Sequence, residues 1–173
     1  MNDEQKRIRG YLVAQAARLT PPEIVEKVEV AMLQLQAAAR AVSPARFNDS
    51  PAAGEWSANE VMAHVVEAGR HFGDAILRLL DGQPPGAPRD APARDTAPRP
   101  LEAWWALLDR DRTTLFERVL RADPATRLEN TVEHQFFGPL NWREALLFIR
   151  LHDLDHAGQL QKVAGALGHA RSA

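Results

Sequence analysis

Apolar residues recur along this chain at three- and four-residue intervals and rarely at intervals of two, and that periodicity constrains the fold more than any other feature. A repeat near 3.6 residues lays a stripe of side chains along one helix face, so several such stripes must be buried against one another. The expectation is an all-α fold. Helix starts are clearly marked. Thr20-Pro21-Pro22-Glu23 sets a hydroxyl acceptor before two prolines suited to a first helical turn, with a Glu three residues on to bond back. Ser57-Ala58-Asn59-Glu60 repeats that box, with Trp56 and Val61 at the staple positions, and Asn141-Trp142-Arg143-Glu144 resembles it a third time. Pro100 suits the first residue of a further helix. These signals predict four principal helices near 21–42, 58–81, 100–122 and 141–167. A shorter N-terminal helix near 3–18 carries Ile8, Tyr11, Leu12 and Ala16 on its apolar side, with Leu19 just beyond.

Between the second and third principal helices, residues 82–99 hold Pro84, Pro85, Pro88, Pro92 and Pro98, a composition that cannot propagate a helix. About 17 extended residues reach roughly 50 Å, whereas a helix of about 24 residues is roughly 36 Å long. The connector can therefore run back along the whole bundle and let the two helices it joins lie parallel, which a short loop forbids. It is a connector inside one domain, 1–173. A second irregular stretch, 123–140, contains Asp123-Pro124 and the run His134-Gln135-Phe136-Phe137-Gly138-Pro139.

With 173 residues the chain can bury roughly 70% of its unfolded surface without disulfides or a structural metal. It has no cysteine, so any transition-metal site must use His, Asp or Glu. Lys and Arg number 21 against 23 for Asp and Glu, with no long block of either sign, so no nucleic-acid partner is expected. No leader pattern and no run of 18 apolar residues is present, so the expectation is a cytoplasmic protein with no membrane partner. No phosphate loop, serine elbow or dinucleotide fingerprint appears, which argues against a nucleotide cofactor.

In the last helix the apolar stripe runs Trp142, Ala145, Leu146, Ile149 and resumes at Leu160, Val163 and Leu167, with His152 and His156 in the gap. Four residues apart, they stand one above the other, and both imidazoles can reach a single ion. In the 58–81 helix the stripe Val61, Val65, Ala68, Phe72, Ile76 and Leu79 is joined on the same side by His64. Three neutral imidazoles would form a site with an open coordination position, as catalytic sites have. The alternative is three core histidines satisfied by ordinary hydrogen bonds. Without partners their burial would cost several kcal/mol, and one divalent cation resolves all three. Zinc or nickel suits such ligands, with iron, cobalt or manganese as further candidates.

Gln159 shares the ligand face and could orient a bound water or substrate, or simply bond within its own helix. Asp155, three residues after His152, could accept its second ring N–H. Of Asp153 and Asp155, at least one is expected to be a solvated surface acid. His71 could line the pocket or merely pack. Glu60 is explained by capping, the four tryptophans Trp56, Trp104, Trp105 and Trp142 by helix packing, and His169 is expected beyond the last helix.

The stretch Gly54-Glu55-Trp56-Ser57-Ala58-Asn59-Glu60-Val61-Met62-Ala63-His64 resembles the entry to the second helix of DinB/YfiT-like proteins. Phe137-Gly138-Pro139-Leu140-Asn141-Trp142-Arg143-Glu144, followed by His152-Asp153-Leu154-Asp155-His156-Ala157-Gly158-Gln159, resembles their last helix. The resemblance implies a four-helix bundle of up-down-down-up topology, often a homodimer, with a divalent metal held by His64, His152 and His156. Members include S-transferases and isomerases that use mycothiol, bacillithiol or glutathione, and proteins labelled metal-dependent hydrolases. The chain departs from the family where a His-Pro pair is replaced by His134-Gln135, so His134 is not carried over as a ligand. The expectation is a divalent-metal-dependent enzyme that activates a low-molecular-weight thiol, or water, against a small-molecule substrate. The alternative is a non-catalytic, stress-related or ligand-binding bundle. DNA binding, suggested by the family's damage-inducible name, fits the neutral composition poorly.

Overall fold

In the computed structural model, which describes residues 1–87 and 97–169, each of the three expected capping boxes closes. Thr20 and Glu23 cap α2 (Pro21–Arg40), and Ser57 and Glu60 cap α3 (Ala58–Leu80). At α5 (Trp142–His169), Asn141 Oδ1 accepts from the backbone N–H groups of Arg143 and Glu144 at 3.0 and 3.1 Å, and the Glu144 carboxylate accepts from Asn141 N at 3.1 Å. Asn2 and Gln5 form a further box at α1 (Asp3–Arg18). Pro100 is the cap of α4 (Leu101–Leu120) rather than its first helical residue. Residues 88–96 of the connector, residues 170–173 and the side chain of His169 lie outside the described set; the last helix reaches His169 instead of ending before it.

Connectivity follows from which helix ends meet. The start of α3 touches the start of α4 where Trp104 Nε1 donates to Asn59 Oδ1 at 2.7 Å. Farther along, Gly69 lies against Arg112, and at the far end Arg118 pairs with Asp81 at 2.8 Å. These helices are parallel. Against α3, α5 runs antiparallel, with His64 beside His152 and His156 at one level and Phe72 beside Phe148 at another. Arg143, at the start of α5, donates to the Leu19 carbonyl just before α2, and Arg46, past the end of α2, donates to the Leu167 carbonyl at 2.9 Å. α2 and α5 are thus parallel, and the topology is up-down-down-up, with α2 and α3 each packed on α4 and α5.

Asn59 secures the crossover. Its buried carboxamide accepts from Trp104 Nε1 and from Arg99 N, at 3.2 Å, and donates to the Ala97 carbonyl at 3.1 Å. The returning end of the connector is thereby fixed at the first turn of α3. Within the ring of helices Leu35, Ile76, Leu79, Leu108, Leu115 and Leu146 are almost wholly buried, each stabilising the fold by roughly 1.5–3 kcal/mol relative to exposure. Outside it, α1 lies on α5 through Leu12 and Ala16, an Arg9–Glu144 ion pair at 2.9 Å and an Arg150 donation to Tyr11 Oη at 3.0 Å.

The stretch expected to be irregular contains a small antiparallel hairpin, β1 (Thr131–His134) and β2 (Gly138–Asn141), with Thr131 opposite Asn141 and His134 opposite Gly138. Strands of four residues are too short for period-two alternation to stand out from the sequence. Gly138 has φ of 69°, a left-handed conformation that glycine adopts without steric penalty, and it opens the returning strand. Among the described residues no helix is long and apolar enough to cross a membrane.

Candidate metal centre

His152 and His156 project from successive turns of α5 toward α3, where His64 meets them. Nε2 of His152 lies 3.1 Å from Nε2 of His64 and 3.2 Å from Nε2 of His156. The ligand atoms of all three lie within 4.8 Å of one another. Each ring nitrogen has either one N–H or one lone pair in the ring plane, so Nε2 of His152 can serve two nitrogen neighbours only through one shared, weaker bond. Gln159 settles the orientation of His156: Nδ1 of His156 donates to Gln159 Oε1 at 2.8 Å, which leaves the lone pair of the neutral ring on Nε2, facing the other two. Around a tetrahedral zinc at ordinary Zn–N lengths, ligand nitrogens stand about 3.4 Å apart. The donor set fits a divalent cation of the imidazole-binding kind; calcium and magnesium, which take oxygen ligands, do not fit it.

The acids beside these ligands divide. Asp155 is exposed, lines the adjoining cavity and makes no hydrogen bond to His152, so the expected relay is not formed. Asp153 is fully buried, and Nη2 of Arg112, itself buried on α4, donates to its two carboxylate oxygens at 3.0 and 3.1 Å. Burial pushes the Asp153 carboxyl above the usual carboxylate range, while the charge and hydrogen bonds of Arg112 act in the opposite direction. On α3 the guanidinium lies against Gly69, where an added Cβ would stand 3.2 Å from Nη1. Arg112 went unread in the sequence, although it interrupts the buried stripe Trp104, Leu108, Leu115, Val119 as the histidines interrupt theirs.

The imidazoles form the floor of a cavity of about 840 Å³ whose walls include Phe72, Phe137, Phe148 and His134, with Glu133 and Asp155 also on its lining. His71 lines it too, edge-on to Phe72 at 5.1 Å. Gln159 is not on the lining; it engages the site through His156. Trp56 packs edge-on against His64 at 5.3 Å, an anchor that also braces the His64 ring. His134 stands in the wall, outside the group of three. Burial pushes its pKa down to about 4.

A model of the DinB superfamily matches residues 28–160. Among solved structures the chain is similar to the one described as "Crystal structure of TT2238, a four-helix bundle protein", at 29% identity and a TM-score of 0.63, over 83% of this chain and 99% of that one. No curated protein matches the chain.

Proposed function

The chain belongs to the DinB superfamily, and from that premise we propose that it is a divalent-metal-dependent enzyme in which a low-molecular-weight thiol attacks a small-molecule substrate. The observation that carries this is the convergence of three imidazole nitrogens, 3.1 and 3.2 Å apart along the series, on the floor of a cavity of about 840 Å³. His64, His152 and His156 would hold the ion, zinc or nickel before iron, cobalt or manganese. When bound, the cation lowers the pKa of a thiol or water at its open position and so supplies a nucleophile at neutral pH.

The chain's own residues orient and enclose. Gln159 holds His156 in the tautomer that presents Nε2 to the site. The Arg112–Asp153 pair, adjacent to His152, sets the register of α5 against α4. Phe72, Phe137 and Phe148 provide an apolar wall that excludes water from one side. The volume lies in the range of small-molecule sites, far above the roughly 30 Å³ a water occupies, which favours an organic nucleophile together with its electrophile. Since the chain has no cysteine, the thiol must be a separate molecule. A reducing cytoplasm and a homodimer complete the reading, the latter to be checked by light scattering.

The test is elemental analysis of untagged protein, then turnover. About one ion per chain is expected, and its loss in His64→Ala. The loaded protein should consume glutathione, mycothiol or bacillithiol in the presence of chlorodinitrobenzene. No metal binding by calorimetry sinks the proposal. Ester hydrolysis without thiol consumption moves the reading to water as nucleophile, and neither activity leaves a non-catalytic bundle.

A further inference from the structure

His134 differs chemically from the three histidines of the floor. The backbone N–H of Phe136 donates to its Nδ1 at 3.2 Å. A neutral imidazole carries one acceptor and one donor nitrogen, so this bond places the lone pair on Nδ1 and the proton on Nε2. Protonating both nitrogens would set two N–H groups against each other, and burial, at 7% exposure, opposes the charge as well. The ring is held by its neighbours: Phe137 lies nearly parallel at 4.6 Å and 13°, Phe72 at 5.6 Å and 30°, and Phe148 meets it edge-on at 4.3 Å. Nε2 has no partner among the described residues, nor is it sealed away from the cavity that His134 lines.

We infer that His134 is a specificity-determining donor, whose Nε2–H binds the carbonyl oxygen of an uncharged substrate with a flat apolar body lying along the phenylalanine wall. The donor is neutral, and both acids on the lining, Glu133 and Asp155, repel anions, so a ketone- or amide-type oxygen suits the site better than a carboxylate. A substrate that lacks this oxygen leaves a buried N–H unpaired, which is how a hydrogen-bonding site rejects an isostere. The inference deepens the proposed function and rests on it only in treating the occupant as substrate; the donor itself needs no metal.

Acetophenone and ethylbenzene, alike in size and differing in the oxygen, are the probes, titrated into metal-free and zinc-loaded protein by calorimetry and by imidazole ¹⁵N NMR. The expected results are an Nε2–H tautomer at His134 in the free protein, about tenfold tighter binding of acetophenone, and a ¹⁵N shift at His134 on its addition. His134→Phe keeps the aromatic stack and should bring the ratio to about one. An Nδ1–H tautomer, equal binding of the two probes, binding of neither, or an unchanged ratio in His134→Phe overturns the inference. If that variant does not fold, the tautomer and the wild-type ratio decide. A carbonyl preference in protein that binds no zinc removes the proposed function and leaves the donor standing; zinc binding with no preference does the reverse.

Discussion

Two polar clusters lie within a turn of each other on α5 and meet burial in opposite ways. Asp153 faces α4, where Arg112 balances its charge with two hydrogen bonds and α3 makes room with Gly69. His152 and His156 face α3, where the group that meets them is a third imidazole. The first cluster is closed in charge, since each charge has its complement within the chain, although Arg112 Nε is left without a hydrogen-bond partner. The second sets like against like, and under the proposed function a divalent cation would be complementary to all of it. Consecutive residues, His152 and Asp153, thus face different neighbours: Asp153 pairs with Arg112 on α4, and His152, under the proposed function, would serve a ligand from outside the chain.

Asp153→Ala strands the Arg112 guanidinium in the core and should cost about 3–5 kcal/mol in urea unfolding. Adding Arg112→Met should restore most of that loss, because replacing a whole buried pair with apolar side chains is close to neutral. A single variant that loses under about 1 kcal/mol would show that the cluster is not closed.

His134 offers a third solution, a buried ring kept neutral. Its folded pKa of about 4 lies below the unfolded value near 6.5. Between those values the unfolded chain takes up a proton that the folded chain refuses, so stability present above about pH 6.5 is lost as pH falls toward 4. The loss should approach about 3 kcal/mol, and that component should vanish from the unfolding profile of His134→Phe.

The open cluster is sharpened by metal. Zinc at about a hundred times its dissociation constant should stabilise the wild type by about 2.7 kcal/mol in chemical unfolding, and His64→Ala by much less. Gln159→Leu frees the His156 ring, and calorimetry should find zinc affinity reduced about 10- to 100-fold. Metal-free stability should stay within about 0.5 kcal/mol, since Gln159 is only half-buried and supports a ligand rather than the core.

The open cluster was legible in the sequence and the closed one was not. His152 and His156 announce themselves as a gap in an apolar stripe, and His64 as an addition to another. Arg112 is a similar interruption, but its partner stands 41 residues away, and nothing local in the sequence pairs them. The helices were legible because the capping boxes at Thr20, Ser57 and Asn141 are local chemistry, readable within four residues. The hairpin was hidden because each strand has only four residues, and with it went the turn that fixes the His134 tautomer. Asn59 reads as filler inside a capping box, yet its carboxamide grips Ala97, Arg99 and Trp104, an attachment that only the returning chain reveals.

The parallel pairing of α2 with α5 and of α3 with α4 has a consequence for the order of assembly during synthesis. His64 precedes His152 by 88 residues, and a ribosome adding about 5–20 residues per second emits the second on the order of 5–20 s after the first. Throughout that interval α3 carries one imidazole and no site. Whatever α2, α3 and α4 form beforehand must hold on apolar contact, the Asn59 attachment and ion pairs such as Arg118–Asp81, so an ion held by the three histidines could not nucleate this fold and could be captured only once the final helix has closed the ring.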